Sequence, residues 1–214
     1  MTAFRVFATC DIGEAALSLL TDRGYEVEVF PEVDPPPKSL ILERVSSGID
    51  ALITTLRDPI DEEVFQAGER TLKVISQIAV GVDNIDLAAA SDCGVVVCNT
   101  PGASTRSVVE LTIGHLIASV RHIPKADRTL RSGEWAKKSL RGSELRGKRL
   151  GMVGFGRIAR GVGEVASALG MELHAFDPFI SSDVAESSHC TLHEEVDELF
   201  RLCTHISIHC NLSE

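Results

Sequence analysis

"RLGMVGFGRIARGVGEVASALG" runs from Arg149 to Gly170 and decides how the second half of the chain folds. An apolar run, Leu150 to Val153, leads into Gly154-Phe155-Gly156-Arg157-Ile158-Ala159, which fits G-x-G-x-x-[G/A]. The run reads as a strand, and helical spacing takes over after it. The first glycine permits a tight turn. The second removes a side chain that would hold a pyrophosphate off the backbone. The third position must be small so that helix and strand pack closely, which Ala159 satisfies. The predicted helix puts Ile158, Val162, Val165, Ala166 and Leu169 on one face and stops at Gly170. Its N-terminus offers unpaired N–H groups and the positive end of the helix dipole to a phosphate. Gly161 and Gly163 each cost a helix about 1 kcal/mol against Ala, which points to close packing on a neighbouring element.

"MELHAF" (Met171–Phe176) then reads as a second strand, with Asp177 at its tip. A carboxylate about twenty residues past the glycines can hold the ribose hydroxyls of NAD and repel the 2′-phosphate of NADP. On this pattern alone two other readings stay open. One is a generic strand-turn-helix with an incidental acid. The other is a methyl-donor-binding domain with a similar glycine turn.

Working outward, the first hundred residues alternate strand and helix signals. "FRVFAT", "YEVEVF", "ALIT", "LKVISQ" and "VVVC" are predicted strands, with helical spacing in Asp11–Arg23, around Leu40–Val45, in Asp61–Ala67 and in Ile85–Asp92. Strands separated by helices imply crossover units and a parallel sheet. "PEVDPPP" (Pro31–Pro37) must be a surface loop. Residues 1–98 therefore read as one α/β domain. After the break "NTPGAST", a helix from Thr105 to about Arg121 is apolar on most faces, which predicts burial. Glu110 reads as half of a capping box with Ser107. Residues 121–149, basic and holding Trp135, read as an extended arm. Residues 99–214 complete the second domain.

Composition excludes several classes. The net charge of −10, with no basic block, disfavours nucleic acid and anionic membranes as partners. No apolar run approaches the roughly 18–20 residues of a membrane span. Charges at Arg5, Asp11 and Glu14 interrupt any signal-peptide apolar region, so a cytoplasmic protein is expected. The six cysteines show no C-x-x-C spacing and read as small buried hydrophobes. His189, His193, His205 and His209 lie near Cys190, Cys203 and Cys210. Their spacing departs from tetrahedral metal sites, so no metal is expected.

From about Asp50 onward the chain resembles the D-isomer-specific 2-hydroxyacid dehydrogenases. The segments that carry the resemblance are "AVGVDNID" (79–86), "VVVCNTPGASTRSVVELT" (95–112), "RSGEW" (131–135), "ELRGKRLGMVGFGRIARGVG" (144–163), "AFDPFIS" (175–181) and "HISIHCNLSE" (205–214). It is most similar to the phosphoglycerate dehydrogenase and glyoxylate/hydroxypyruvate reductase branches. The resemblance implies a flavodoxin-like substrate domain followed by the first half of a Rossmann NAD-binding domain. It implies a homodimer through the cofactor domains, with arms like 121–149 embracing the partner. It places Gly154, Gly156, Arg157 and Ile158 on the pyrophosphate, Asp177 on the adenosine ribose, and the His209-Cys210 turn on the adenosine side. Val80 and Gly81 would offer backbone N–H groups to the carboxylate of a small 2-oxo or 2-hydroxy acid, with Val80 also meeting the nicotinamide.

Two departures stand out. The family's His-x-Pro reads His209-Cys210-Asn211 here. Many phosphoglycerate-type members carry arginines where this chain has Thr54 and Gln77, which removes bidentate partners for a substrate phosphate. "TTL" (54–56) matches the glyoxylate-reductase version, with Leu56 facing a small unphosphorylated substrate and Arg57 close by. The family's catalytic Arg, Glu and His lie downstream of "HISIHC", so no catalytic residue is assigned within this chain and a C-terminally incomplete, inactive polypeptide is expected. Its central strand, Leu150–Val153, would then be left as an open edge. The resulting expectation is an NAD-dependent 2-hydroxyacid dehydrogenase. The alternative is a non-catalytic NAD-binding or dimerisation module of the corepressor type.

Overall fold

The computed structural model describes residues 3–210, and the chain divides into two units between Ala103 and Ser104. In the first unit each of the first four strands is followed by a helix that returns the chain for another parallel strand. The elements are β1 (Arg5–Ala8), α1 (Glu14–Thr21), β2 (Glu26–Val29), α2 (Lys38–Ser46), β3 (Ala51–Thr54), α3 (Glu62–Gly68), β4 (Val74–Gln77), α4 (Leu87–Asp92) and β5 (Val96–Cys98). The sheet order is β2-β1-β3-β4-β5, all parallel. This is the doubly wound flavodoxin-like order, and its direction reverses between β1 and β3. Phe7, Leu52 and Ile75 come from adjacent strands and are buried with Ile41, Val45, Val64 and Phe65 from the helices. Burial is worth about 1.5–3 kcal/mol for each such side chain, which is why short strands suffice. Asp86 caps α4, its Oδ1 accepting from the N–H groups of Ala88 and Ala89 at 3.0 Å each.

The second unit comprises α5 (Thr105–Val120), α6 (Ile123–Arg131), β6 (Arg149–Val153), α7 (Arg157–Ala168), β7 (Glu172–Phe176), α8 (Ser182–Ser187), β8 (Cys190–Leu192), α9 (Val196–Leu202) and β9 (His205–Ile208). Its parallel sheet has the order β8-β7-β6-β9. Leu150 pairs with Leu173 on one side and His205 on the other. The expectation that the 150–153 strand is an open edge is therefore overturned. The three-residue strand β8, too short to register as a period, is the third strand of the Rossmann half, and β9 begins the opposite side. The two edge strands are β8 and β9, with Ile208 of β9 67% exposed.

Five further expectations are corrected. The helix α5 is not buried on most faces: Val109 and Ile113 are buried, while Leu111 and His115 are exposed. It packs by one stripe only, and its other side borders a groove of about 390 Å³ with His205 and Ile206. The buried stripe of α7 is Ala159, Val162, Gly163 and Ala166, rotated from the predicted face, with Val165 and Leu169 partly exposed. Gly163 lies inward against the sheet, where a Cβ would sit 3.2 Å from Leu173 Cδ1, and Gly161 lies against α5, where a Cβ would sit 2.7 Å from Val109 Cγ2. Ser107 and Glu110 form no capping box, because the helix already starts at Thr105 and Ser107 lies in its first turn. The cysteines are not uniformly buried: Cys190 is, but Cys98 and Cys210 are exposed. The 121–149 segment is not extended throughout, since α6 occupies Ile123–Arg131, entered through His122 at φ 55°.

Candidate functional site

In the second unit, backbone forms the cradle. Gly154 has φ 82°, and a Cβ there would lie 2.9 Å from Cys210 N and 3.0 Å from His209 C. Its N–H donates to Phe176 O at 2.8 Å, and the N–H of His209 donates to Val153 O at 2.8 Å. The turn is thus wedged between the ends of β7 and β9, and no residue with a side chain fits. Phe155 is buried with Met152 and Ala159 beneath the turn. Gly156 caps α7 without a side-chain hydrogen bond, and a Cβ on it would meet nothing within 4 Å. Among the described residues nothing accepts from the N–H groups of Gly156, Arg157 and Ile158. Open space in front of unpaired helix-start amides matches what a phosphate needs.

Asp177 closes one side of the cradle. Its Oδ2 accepts from Phe155 N at 2.8 Å and its Oδ1 from Phe179 N at 2.9 Å. Each carboxylate oxygen keeps capacity for another donor. His209 is bonded through Nε2 to Ser207 Oγ at 2.8 Å, and burial lowers its pKa from the ordinary value, so the ring is neutral at neutral pH. Gly154, Gly156, Arg157, Ile158, Asp177, His209 and Cys210 are thereby gathered at the carboxyl ends of β6, β7 and β9. Asn211 lies outside the described residues.

In the first unit, side chains form the platform. All four buried polar residues of the described chain, Thr9, Thr54, Asp58 and Gln77, lie here. They sit at or just past the carboxyl ends of β1, β3 and β4, by the reversal point where open α/β sheets hold ligands. Asp58 Oδ2 accepts from Thr9 Oγ1 at 2.6 Å, Thr55 N at 2.6 Å and Thr55 Oγ1 at 3.0 Å. Its Oδ1 is buried without a partner. Burial raises the pKa of the neighbouring Cys10 thiol, with the Asp58 and Asp11 charges adding to it. Thr54 Oγ1 donates to Gln77 Oε1 at 2.5 Å, so both residues that depart from the arginine pattern are turned inward onto each other.

Above this platform, Leu56 and Val80 are exposed, 55% and 51%. A Cβ on Gly81 would lie 3.6 Å from Leu56 Cδ2, so these predicted residues are brought together. The carbonyl of Val80 accepts from Asn99 Nδ2 at 2.8 Å and that of Gly81 from Gln77 Nε2 at 3.4 Å. Among the described residues nothing accepts from the N–H groups of Val80 and Gly81. Carbonyls held and amides left over are an arrangement that can accept an anion without a buried counter-charge. Arg57 Nη2 donates to Val33 O in the proline loop at 2.9 Å. Sequence reasoning missed Thr9, Asp58 and Asn84. The available signal for Thr9 was a polar residue directly after an apolar strand, and for Asn84 a polar side chain within the loop 78–86.

Among the described residues no group of three His, Cys, Asp or Glu is placed to hold a metal ion. His174 Nδ1 and His193 Nε2 are instead 3.0 Å apart, and His193 Nδ1 is 2.7 Å from Glu198 Oε2. No helix among the described residues is long and apolar enough to cross a membrane.

Comparison with known proteins follows the same lines. A family profile described as D-isomer specific 2-hydroxyacid dehydrogenase, catalytic domain, matches residues 6–205. A D-3-phosphoglycerate dehydrogenase of Methanocaldococcus jannaschii is 38% identical over 209 residues, covering 98% of this chain and 39% of that one. A hydroxypyruvate reductase of Thermotoga maritima is 36% identical over 214 residues, covering 100% and 67%. Among solved structures, the TT0316 protein of Thermus thermophilus superposes with a TM-score of 0.89 at 34% identity, covering 98% and 65%. A cofactor (NAD+)-bound 3-phosphoglycerate dehydrogenase of Entamoeba histolytica gives a TM-score of 0.76 at 30% identity, covering 100% and 64%. The chain spans between 39% and 67% of the lengths of these proteins.

Proposed function

The chain belongs to the D-isomer specific 2-hydroxyacid dehydrogenase family, and on that premise we propose that it serves hydride transfer between NAD and the C2 of a small 2-oxo or 2-hydroxy acid. The observation that carries the reading is the α7 N-terminus: three amides without acceptors, open space at Gly156, and the Asp177 carboxylate bonded to the turn beside them. When bound, the dinucleotide supplies or accepts the hydride. Gly154, Gly156, Arg157 and Ile158 hold its pyrophosphate. Asp177 accepts from the ribose hydroxyls and repels a 2′-phosphate, which favours NAD over NADP. The exposed Cys210 and the neutral His209 border the adenosine. The Entamoeba relative, named as NAD+-bound, supports this choice.

The unpaired amides of Val80 and Gly81 hold the substrate carboxylate, Val80 also meets the nicotinamide, and Leu56 bounds the substrate's small end. The Thr54–Gln77 pair leaves no cation for a phosphate, and Arg57 is engaged by Val33. A small unphosphorylated acid fits this surface better than phosphohydroxypyruvate. The protein acts in the cytoplasm as a homodimer through the second unit, with the 121–149 arm and its 79%-exposed Trp135 at the interface.

Calorimetry tests the cofactor reading. NAD is expected to bind the 214-residue chain, with Asp177→Ser narrowing the NAD/NADP ratio at least tenfold. No heat with NAD, or an unmoved ratio, rejects it. The substrate reading expects glyoxylate and hydroxypyruvate to be preferred over phosphohydroxypyruvate, and the opposite order rejects it.

A further inference from the structure

We infer that Asn84 is a positioning residue that locks both substrate loops of the first unit into one arrangement. The inference rests on the substrate reading above for its functional meaning, but its geometry stands alone.

Asn84 is half-buried, and its amide is fully committed. Nδ2 donates to Thr55 O at 3.0 Å and to Asp58 O at 2.7 Å. Oδ1 accepts from Gln77 Nε2 at 2.7 Å. The orientation of the amide is forced, because two backbone carbonyls can only accept. Those carbonyls bracket Leu56 and Arg57, so one side-chain nitrogen pins both ends of the first loop. Gln77 in turn reaches Gly81 O, and its Oε1 is fixed by Thr54. The second loop is thereby tied to the same amide. Among the described residues Asn84 is the side chain whose hydrogen bonds join segment 55–58 to segment 78–84. Its own backbone is anchored, since Ile60 N donates to Asn84 O at 2.9 Å.

Two consequences follow. The network occupies the carbonyls of Thr55, Asp58 and Gly81 from below, which leaves the amides of Val80 and Gly81 as the unspent groups. It also makes the Leu56 loop and the Val80–Gly81 loop move together. Carboxylate grip and size selection are then one device, although they arise after different strands.

Asn84→Asp keeps the shape but replaces the doubly donating nitrogen by one acceptor oxygen that faces both carbonyls. Amide hydrogen exchange measured on the 214-residue chain reads the outcome. Exchange at the hydrogen-bonded amides of Thr55 and Asp58 in the first loop and of Ile85, which closes the second onto Val82 O, is expected to rise together by at least tenfold, with β3 and β4 interior amides unchanged. Asn84→Ala serves as the second variant should the aspartate unfold the unit. As a control, Asn99→Ala frees only the Val80 carbonyl and is expected to leave 55–58 protected. A rise in one loop alone, a uniform rise across the first unit, or no rise overturns the inference. Titration with glyoxylate, followed by amide chemical shifts at Val80 and Gly81, separates the two readings. Weaker binding in Asn84→Asp than in the parent supports positioning. No shift in the parent rejects the substrate reading while the exchange result still decides the loop coupling.

Discussion

The two units each end their strands in a ligand-facing surface, yet they build it from opposite materials. The first rests its loops on buried polar side chains: Thr9, Thr54, Asp58 and Gln77. The second has no fully buried polar side chain among the described residues. Its turn is shaped by glycine backbone pressed onto an apolar floor of Met152, Phe155 and Ala159. A side-chain network can be retuned one residue at a time, in keeping with the proposed selection among acids. A backbone cradle depends on close approach, in keeping with the proposed grip on a pyrophosphate. The difference teaches where each unit is fragile.

The sharpest way to break this contrast is Gly154→Ala. A positive φ costs an L-residue about 1–2 kcal/mol and overpacking adds about 1–3, so the second unit is expected to lose roughly 4 kcal/mol. Exchange protection of β6 and β7 reports it, and the first unit is expected to be unaffected. Loss of NAD heat accompanies it. Asp58→Ala is the counterpart in the first unit. It strands the Thr9 hydroxyl and both Thr55 donors, for an expected loss of about 2–3 kcal/mol confined to that unit in urea unfolding.

Acid separates the units next. The His174 pKa is lowered from 6.5 by burial first, then by the neighbouring His193 and Arg149. The unfolded chain therefore takes up that proton before the folded one does. This contribution is complete above 6.5 and is lost as pH falls below it toward the folded value. In the first unit the Asp50 pKa is lowered from 3.8, chiefly by the Arg5 N–H and then by Lys73. Its contribution persists until pH falls through the lower folded value. From about pH 7 to about pH 5 the second unit is expected to weaken first, and His174→Gln to flatten that slope. Equal weakening of both units would erase the distinction. The smallest effect is expected at Arg131→Ala, which breaks an exposed i,i+4 pair with Asp127 (2.9 Å) and should move stability by no more than about 0.5 kcal/mol.

Much of this was legible in the chain itself. Period and punctuation placed the strands of the first unit and the turn at 154–159, because both depend on local backbone rules. Asp177 was found for the same reason: it stands at the tip of a strand whose end is marked. Sequence period could not orient α7. Its orientation is set by close approach to the sheet at Gly163 and to α5 at Gly161, a tertiary fact. Nor could it find β8, whose three residues carry no period, or place β9 beside β6, since strand order follows from which crossover packs on which side of the sheet.

By itself the sequence determined the parallel α/β character, the glycine turn at 154–159 and the acid beyond it, since each is dictated by neighbours along the chain. Only the tertiary structure decided that Thr54 and Gln77 turn inward, that Asp58 and Asn84 fasten loops from separate strands, and that β6 is flanked on both sides. Those outcomes depend on which buried donors meet which acceptors once distant segments are packed together, and no local pattern encodes that pairing.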